Sequence, residues 1–315
     1  MSFTRTALAA VTAAACVAAA SWSQPSLAND EVPGAPQQRA VALVGGTVHP
    51  VTAPTIEDGI VLFDRGKIVA VGRDIDIPPS AERIDVTGRH VYPGLFDAST
   101  PLGLVEIPSV RGTVDEAETG EINPNVRPEV AFNPDSELIP VTRSNGVLFA
   151  LVIPSGGLIA GSSAVMQLDG WTADEMTVAS AVGMHVFWPR MAPIHTWRLE
   201  ESGEQQLLDR DKALAGLRKA VADARAYWIA KSVAEKGKNG MPPDHDQRWE
   251  AMVPVFERRM PVIVHADEIQ QIQSAIAWAQ HEGFKMILAG GYDAPRAADL
   301  LKKYEIPVLV TGTYR

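Results

Sequence analysis

The sequence predicts an α/β protein: a small β-module followed by a parallel β/α barrel that stops short of closure. Three features carry this. Residues 39–92 hold four short β-branched runs separated by turn residues. Residues 147–152 are apolar without interruption, as in a strand buried on both faces of a parallel sheet. From residue 246 onward, apolar strands alternate with amphipathic helices over short loops, the pattern of βα units.

The chain has 315 residues and is 46% hydrophobic, enough for one large domain and a smaller one. Its 28 Lys and Arg against 38 Asp and Glu leave a net charge of -10. With no basic excess to neutralise phosphates, nucleic acid and anionic membranes are poor partners. A small neutral or cationic molecule suits the charge better. Homo-oligomerisation stays open.

At the N-terminus, Arg5 precedes a small-residue apolar run from Ala7 to Ala20, and Ser26-Leu27-Ala28 presents small residues where a signal peptidase reads. Residues 1–28 therefore read as a secretory signal peptide cleaved after Ala28, too short and Ala-rich for a membrane span. The expected compartment is periplasmic or secreted. The single cysteine, Cys16, lies in this segment, so the mature chain has no disulfides and no thiolate ligands. Residues 29–38 are polar, lack periodicity and read as a linker.

The β-module at 39–92 is expected to be a small antiparallel sheet of the sandwich type, with strands near 41–44, 59–63, 67–71 and 83–86. Asp64-Arg65-Gly66 is a hairpin turn in which Gly66 supplies a positive φ. The barrel portion spans 93–315 and opens with Tyr92-Pro93-Gly94-Leu95-Phe96-Asp97. A long acidic stretch, 99–132, is either a solvated loop or a lid over the site. Asn133-Pro134-Asp135 has the chemistry of a helix start, and Asn145-Gly146 of a helix end.

Pro154 to Ser163 is glycine-rich but matches neither G-x-x-x-x-G-K-[ST] nor G-x-G-x-x-G, which argues against a nucleotide. It is expected to close tightly over the barrel mouth. Further strands fall at 164–168 and 178–186. A long helix is expected over 204–235, because Leu214, Leu217, Val221, Ala224 and Trp228 recur at spacings of three and four. Helices at 246–259, 270–281 and 295–304 then alternate with strands at 261–265, 285–288 and 306–310. A closed eight-stranded barrel takes about 200 to 400 residues. Much of this chain is spent on the β-module and the acidic stretch, so an incomplete barrel is expected.

Three places carry a resemblance. Residues 42–48, 59–62 and 66–72 resemble a composite β-sandwich; Tyr92 to Asp97 matches a barrel opening that reads P-G-[LF]-[IV]-D-x-H-x-H; and Val262-Ile263-Val264-His265-Ala266 is similar to a strand that delivers a metal histidine. On these residues the chain resembles the amidohydrolase superfamily, particularly its imidazolonepropionase-like and dihydroorotase-like members. The resemblance implies a TIM-type (β/α) barrel and metal-assisted hydrolysis of non-peptide C–N bonds, with zinc or another divalent ion activating a water. It also implies ligands at strand ends. The H-x-H positions are occupied here by Ser99 and Pro101, which are not ligands. His265 is retained, and Ala289-Gly290-Gly291 stands where a further histidine belongs. The family's aspartate belongs to a strand after Arg315.

One retained ligand does not hold a catalytic zinc, which takes three protein groups. His265, with Asp267 and Glu268 nearby in sequence, is either a residual metal or proton-transfer group or a strand-end histidine bonded for structure. His185, His195, His245 and His281 show no H-x-H or H-E-x-x-H spacing and read as ordinary loop and helix residues. No G-x-S-x-G elbow surrounds Ser99, so serine catalysis has no support. Two functions follow: a C–N hydrolase with unusual or partner-supplied ligands, or a barrel that serves as a binding or assembly scaffold.

Overall fold

A computed structural model describes residues 32–196, 201–237 and 242–312. The expected signal peptide, residues 1–28 with Cys16, and the first part of the linker lie outside the described residues. The chain divides into Met1–Pro33 and Gly34–Arg315, and every element below belongs to the second unit.

The β-module is one five-stranded sheet. Strands β1 (Val41–Val48), β2 (Ile56–Asp64), β3 (Lys67–Gly72) and β4 (Glu82–Asp85) lie in the order β3-β2-β1-β4, and β5 (His90–Val91) also pairs β1. The β2–β3 hairpin turns as expected: Arg65 (φ 49°) and Gly66 (φ 70°) both take the left-handed region that a type I′ turn requires. The sheet is not wholly antiparallel, however, because β4 and β5 run parallel to β1. Residues 73–81 cross back over the sheet, and Ile77 from this crossover packs on Ala42 and Leu62.

Two further sheets follow. The first has the order β10-β9-β7-β6, with β6 (Leu95–Thr100), β7 (Val147–Val152), β9 (Ala164–Gln167) and β10 (Thr177–Ala179). The second runs β14-β13-β12-β11-β8, with β8 (Ile159–Ser162), β11 (Met184–Phe187), β12 (Val262–Ala266), β13 (Met286–Gly290) and β14 (Val308–Val310). Strands β11 to β14 are mutually parallel, as are β6 and β7. Ser163, fully buried, links β8 to β9, so one segment serves both sheets. A closed barrel is not formed: β6 and β14 are edge strands among the described residues.

Alternation along β12 explains its unbroken apolar sequence. Val262 and Val264 pack outward into the core under the helices, while Ile263 packs inward with Leu151 of β7 and Ala289 of β13. Both faces are buried, so no polar residue is tolerated until His265. The outer face is covered by α4 (Gly203–Glu235), α5 (Gln247–Phe256), α6 (Ile269–Glu282) and α7 (Ala298–Lys303), after three short helices, α1 (Pro128–Ala131), α2 (Leu138–Ser144) and α3 (Ala173–Met176). Helix α4 buries Leu217, Ala220, Val221 and Ala224, the middle of the expected stripe. Helix α6 starts at a Glu268–Gln271 capping box and ends at Gly283 in the left-handed conformation. No helix of the described residues is long and apolar enough to cross a membrane.

Several expectations need correction. Asn133 does not start a helix: its Oδ1 accepts the Asp135 N–H at 3.1 Å in a local turn, and α2 begins only at Leu138. The first half of β7 is not buried on both faces, since Leu148 and Phe149 are exposed. Helix α5 ends at Phe256 because Arg258 takes φ 60° and reverses the chain. The expected 295–304 helix is divided into a 3-10 turn at Ala294–Ala297 followed by α7.

The acidic stretch is pinned rather than free. Bridges join Val105 to Val114, Ala117 to Ser155 and Ile122 to Ile159, and Leu102, Leu104 and Phe132 are buried beside Ala150 and Met166. The glycine-rich segment closes on this stretch instead of on a barrel mouth. A Cβ added to Gly157 (φ 68°) would lie 2.8 Å from the Gly120 carbonyl oxygen. What approaches Gly157 is the protein's own backbone.

Candidate active site

His265 sits near the C-terminal end of β12, on the same face as Ile263 and therefore toward the space between the sheets. Its neighbour on β11 is Phe187, whose ring stacks on the imidazole at 4.1 Å and 9°. Two residues earlier on the same face of β11 is His185, only 1% exposed. Its Nδ1 lies 2.8 Å from Nε2 of His265. Period-two alternation puts positions 185 and 187 on one face, and parallel pairing brings that face beside His265.

Burial sets the charge state of both rings. His185 is held well below the usual imidazole range, first by burial and then by His265. His265 is lowered to about 4 by burial, with Asp267 opposing the shift. Both imidazoles are neutral at neutral pH, so one ring donates the shared hydrogen bond and the other accepts it. Nε2 of His185 is buried with no hydrogen-bond partner among the described residues.

The acids after His265 are occupied in holding the backbone. Asp267 Oδ1 accepts the Tyr292 N–H at 3.3 Å, and a Cβ at Gly290 would come within 2.7 Å of that oxygen. Glu268 caps α6 and pairs with Arg190 at 2.8 Å. Of the positions singled out by the barrel-opening motif, Ser99 is half-buried on β6 with its N–H donated to Asp97 Oδ1, and Pro101 is exposed just beyond that strand. Ala289 is directly opposite His265 on β13 and lies in the apolar cluster between the sheets.

The structure therefore joins His265 to His185, which lacks any metal-motif spacing in the sequence. His185 is part of this site, and the signal that could have revealed it is a histidine alternating with Phe187 inside an apolar strand. His281 does stand apart, at the end of α6 beside Glu282.

The donors present do not fit a three-ligand metal centre. The facing nitrogens of the two histidines bond each other, and Ser99, Pro101 and Ala289 offer no imidazole or carboxylate. Among the described residues, no group of three or more His, Cys, Asp or Glu side chains is placed to hold a metal ion.

No protein-family model matches the chain. Over 151 residues, 44% of this chain, it is 27% identical to the amidohydrolase tasK of Hapsidospora irregularis, and the match spans 14% of that protein's length. In three dimensions it is similar to an amidohydrolase from Thermotoga maritima MSB8, with a TM-score of 0.75 at 24% identity, covering 87% of this chain and 70% of that one. Part of the sequence is thus similar to one amidohydrolase, and the fold is similar to that of another.

Proposed function

We propose that the chain is a hydrolase of the amidohydrolase kind, cleaving a non-peptide C–N bond in a small neutral or cationic molecule. In this reading β6, β7 and β11 to β14 are an open portion of a TIM-type barrel. The observation that carries it is the His185–His265 pair, with His265 at the C-terminal end of a parallel strand, where barrels of this type keep their chemistry.

The pair can act as an oriented base. With His265 Nε2–H donating to His185 Nδ1, the Nδ1 lone pair of His265 is free to accept a proton. Water gives up that proton as its oxygen bonds to the substrate carbon. The C–N bond then breaks, and the proton passes to the leaving nitrogen. Phe187 fixes the plane of the ring, and His185 holds Nε2–H as the imidazolium forms. No step is assigned to the divalent ion that the family resemblance implies, because the donors present do not fit it. Export to the periplasm or beyond belongs to the same reading and rests on residues 1–28.

The test is hydrolysis of a panel of small amides, lactams and cyclic ureides by the wild type and by His265→Gln. Cleavage by the wild type, reduced by about 100-fold or more in the variant, supports the reading. Equal rates, or no cleavage by either protein, would favour the scaffold instead.

A further inference from the structure

The β-module carries a second histidine pair, separate from the one between the barrel sheets. His49 follows β1 and His90 opens β5, and the backbone fixes both. Thr47 and Val48 are in register with His90 and Val91, and the His49 N–H donates to the Val91 carbonyl at 2.9 Å. Nε2 of His49 lies 2.9 Å from Nδ1 of His90. Thr55 Oγ1 is 3.3 Å from the other ring nitrogen of His49. The Tyr92 ring stacks on His49 at 4.3 Å and 4°.

We propose that His49 and His90 form a two-imidazole site for a divalent transition cation of the zinc class, with water completing the coordination. Zinc–nitrogen bonds of about 2.0–2.1 Å in tetrahedral geometry put two ligand nitrogens about 3.3 Å apart. The two nitrogens, 2.9 Å apart, need to part by about 0.4 Å to admit the ion, and His90 is exposed.

A ligating histidine presents a bare nitrogen to the metal and gives its other N–H to a fixed acceptor. Here the Thr55 hydroxyl accepts from His49 Nδ1–H, which leaves Nε2 bare. Because a hydroxyl both donates and accepts, the same contact also serves the metal-free pair. Stacking on Tyr92 holds the His49 plane in both states. With two protein donors, the site binds weakly and exchanges with solvent. It is independent of the proposed hydrolysis, since none of its residues belongs to the His185–His265 site.

The experiment is calorimetric titration of zinc into the tag-free protein, its His90→Ala and His49→Gln variants, and His265→Ala as a control. Far-UV circular dichroism checks that each variant is folded. The expected result is one zinc per chain, weakened at least tenfold in either β-module variant and unchanged in His265→Ala. Absence of zinc binding by the wild type, undiminished binding by folded His90→Ala and His49→Gln, or loss of binding in His265→Ala would overturn the proposal.

Discussion

His185 Nδ1 and His265 Nε2 meet at 2.8 Å across two adjacent parallel strands, and the ring of His185 is almost wholly buried. Removing one partner strands the other away from water, at a cost of about 1–3 kcal/mol. His185→Leu keeps most of the volume and deletes the bond, so it should lower stability by that amount. Urea unfolding checks this, and a double variant with His265→Leu should lose less than the sum of the two single changes.

The same burial makes stability depend on pH. His265 has a folded pKa of about 4 against 6.5 for an unperturbed histidine. Between those values the unfolded chain binds more protons, so stability rises with pH. The contribution is complete above about pH 6.5 and is lost as pH falls toward 4, a swing of about 3 kcal/mol. The depressed His185 acts in the same direction. Unfolding midpoints at pH 4 to 7 should rise with pH, and less steeply in His265→Gln.

Gly157 tests the contact between the glycine-rich segment and the acidic stretch. At φ 68°, with a Cβ placed 2.8 Å from a carbonyl oxygen, Gly157→Ala meets both strain and a clash. A loss of about 1–3 kcal/mol is expected. Thermal melting checks it, and Gly66→Ala, which meets no atom within 4 Å, should cost less.

The proposed export predicts a defined N-terminus. Secreted or periplasmic protein should begin at Asn29, as read by intact mass, and an unprocessed chain recovered from that compartment would count against cleavage after Ala28.

Legibility in the sequence followed how local each cause is. Strand β12 could be read because burial on both faces writes an apolar run directly into the chain, and the β2–β3 turn because Gly66 meets a local φ requirement. Strand β4 was located but expected antiparallel, and the two-residue β5 was not located: alternation is the same for parallel and antiparallel pairing, and the crossover at 73–81 makes β4 parallel to β1. Asn133 misled because its side chain serves a turn as readily as a helix cap. His185 was missed because its partner lies 80 residues away, and a lone histidine in an apolar strand looks like core until the sheet is assembled.

The most direct test of the central claim, a neutral hydrogen-bonded histidine pair in the site, is a nitrogen-15 NMR titration of the imidazoles. His265 is expected to stay neutral down to about pH 4, His185 to titrate well below the usual imidazole range, and His185→Leu to change the His265 Nε2 shift. Titration of His265 near the unperturbed 6.5, with an Nε2 shift indifferent to His185→Leu, would contradict it.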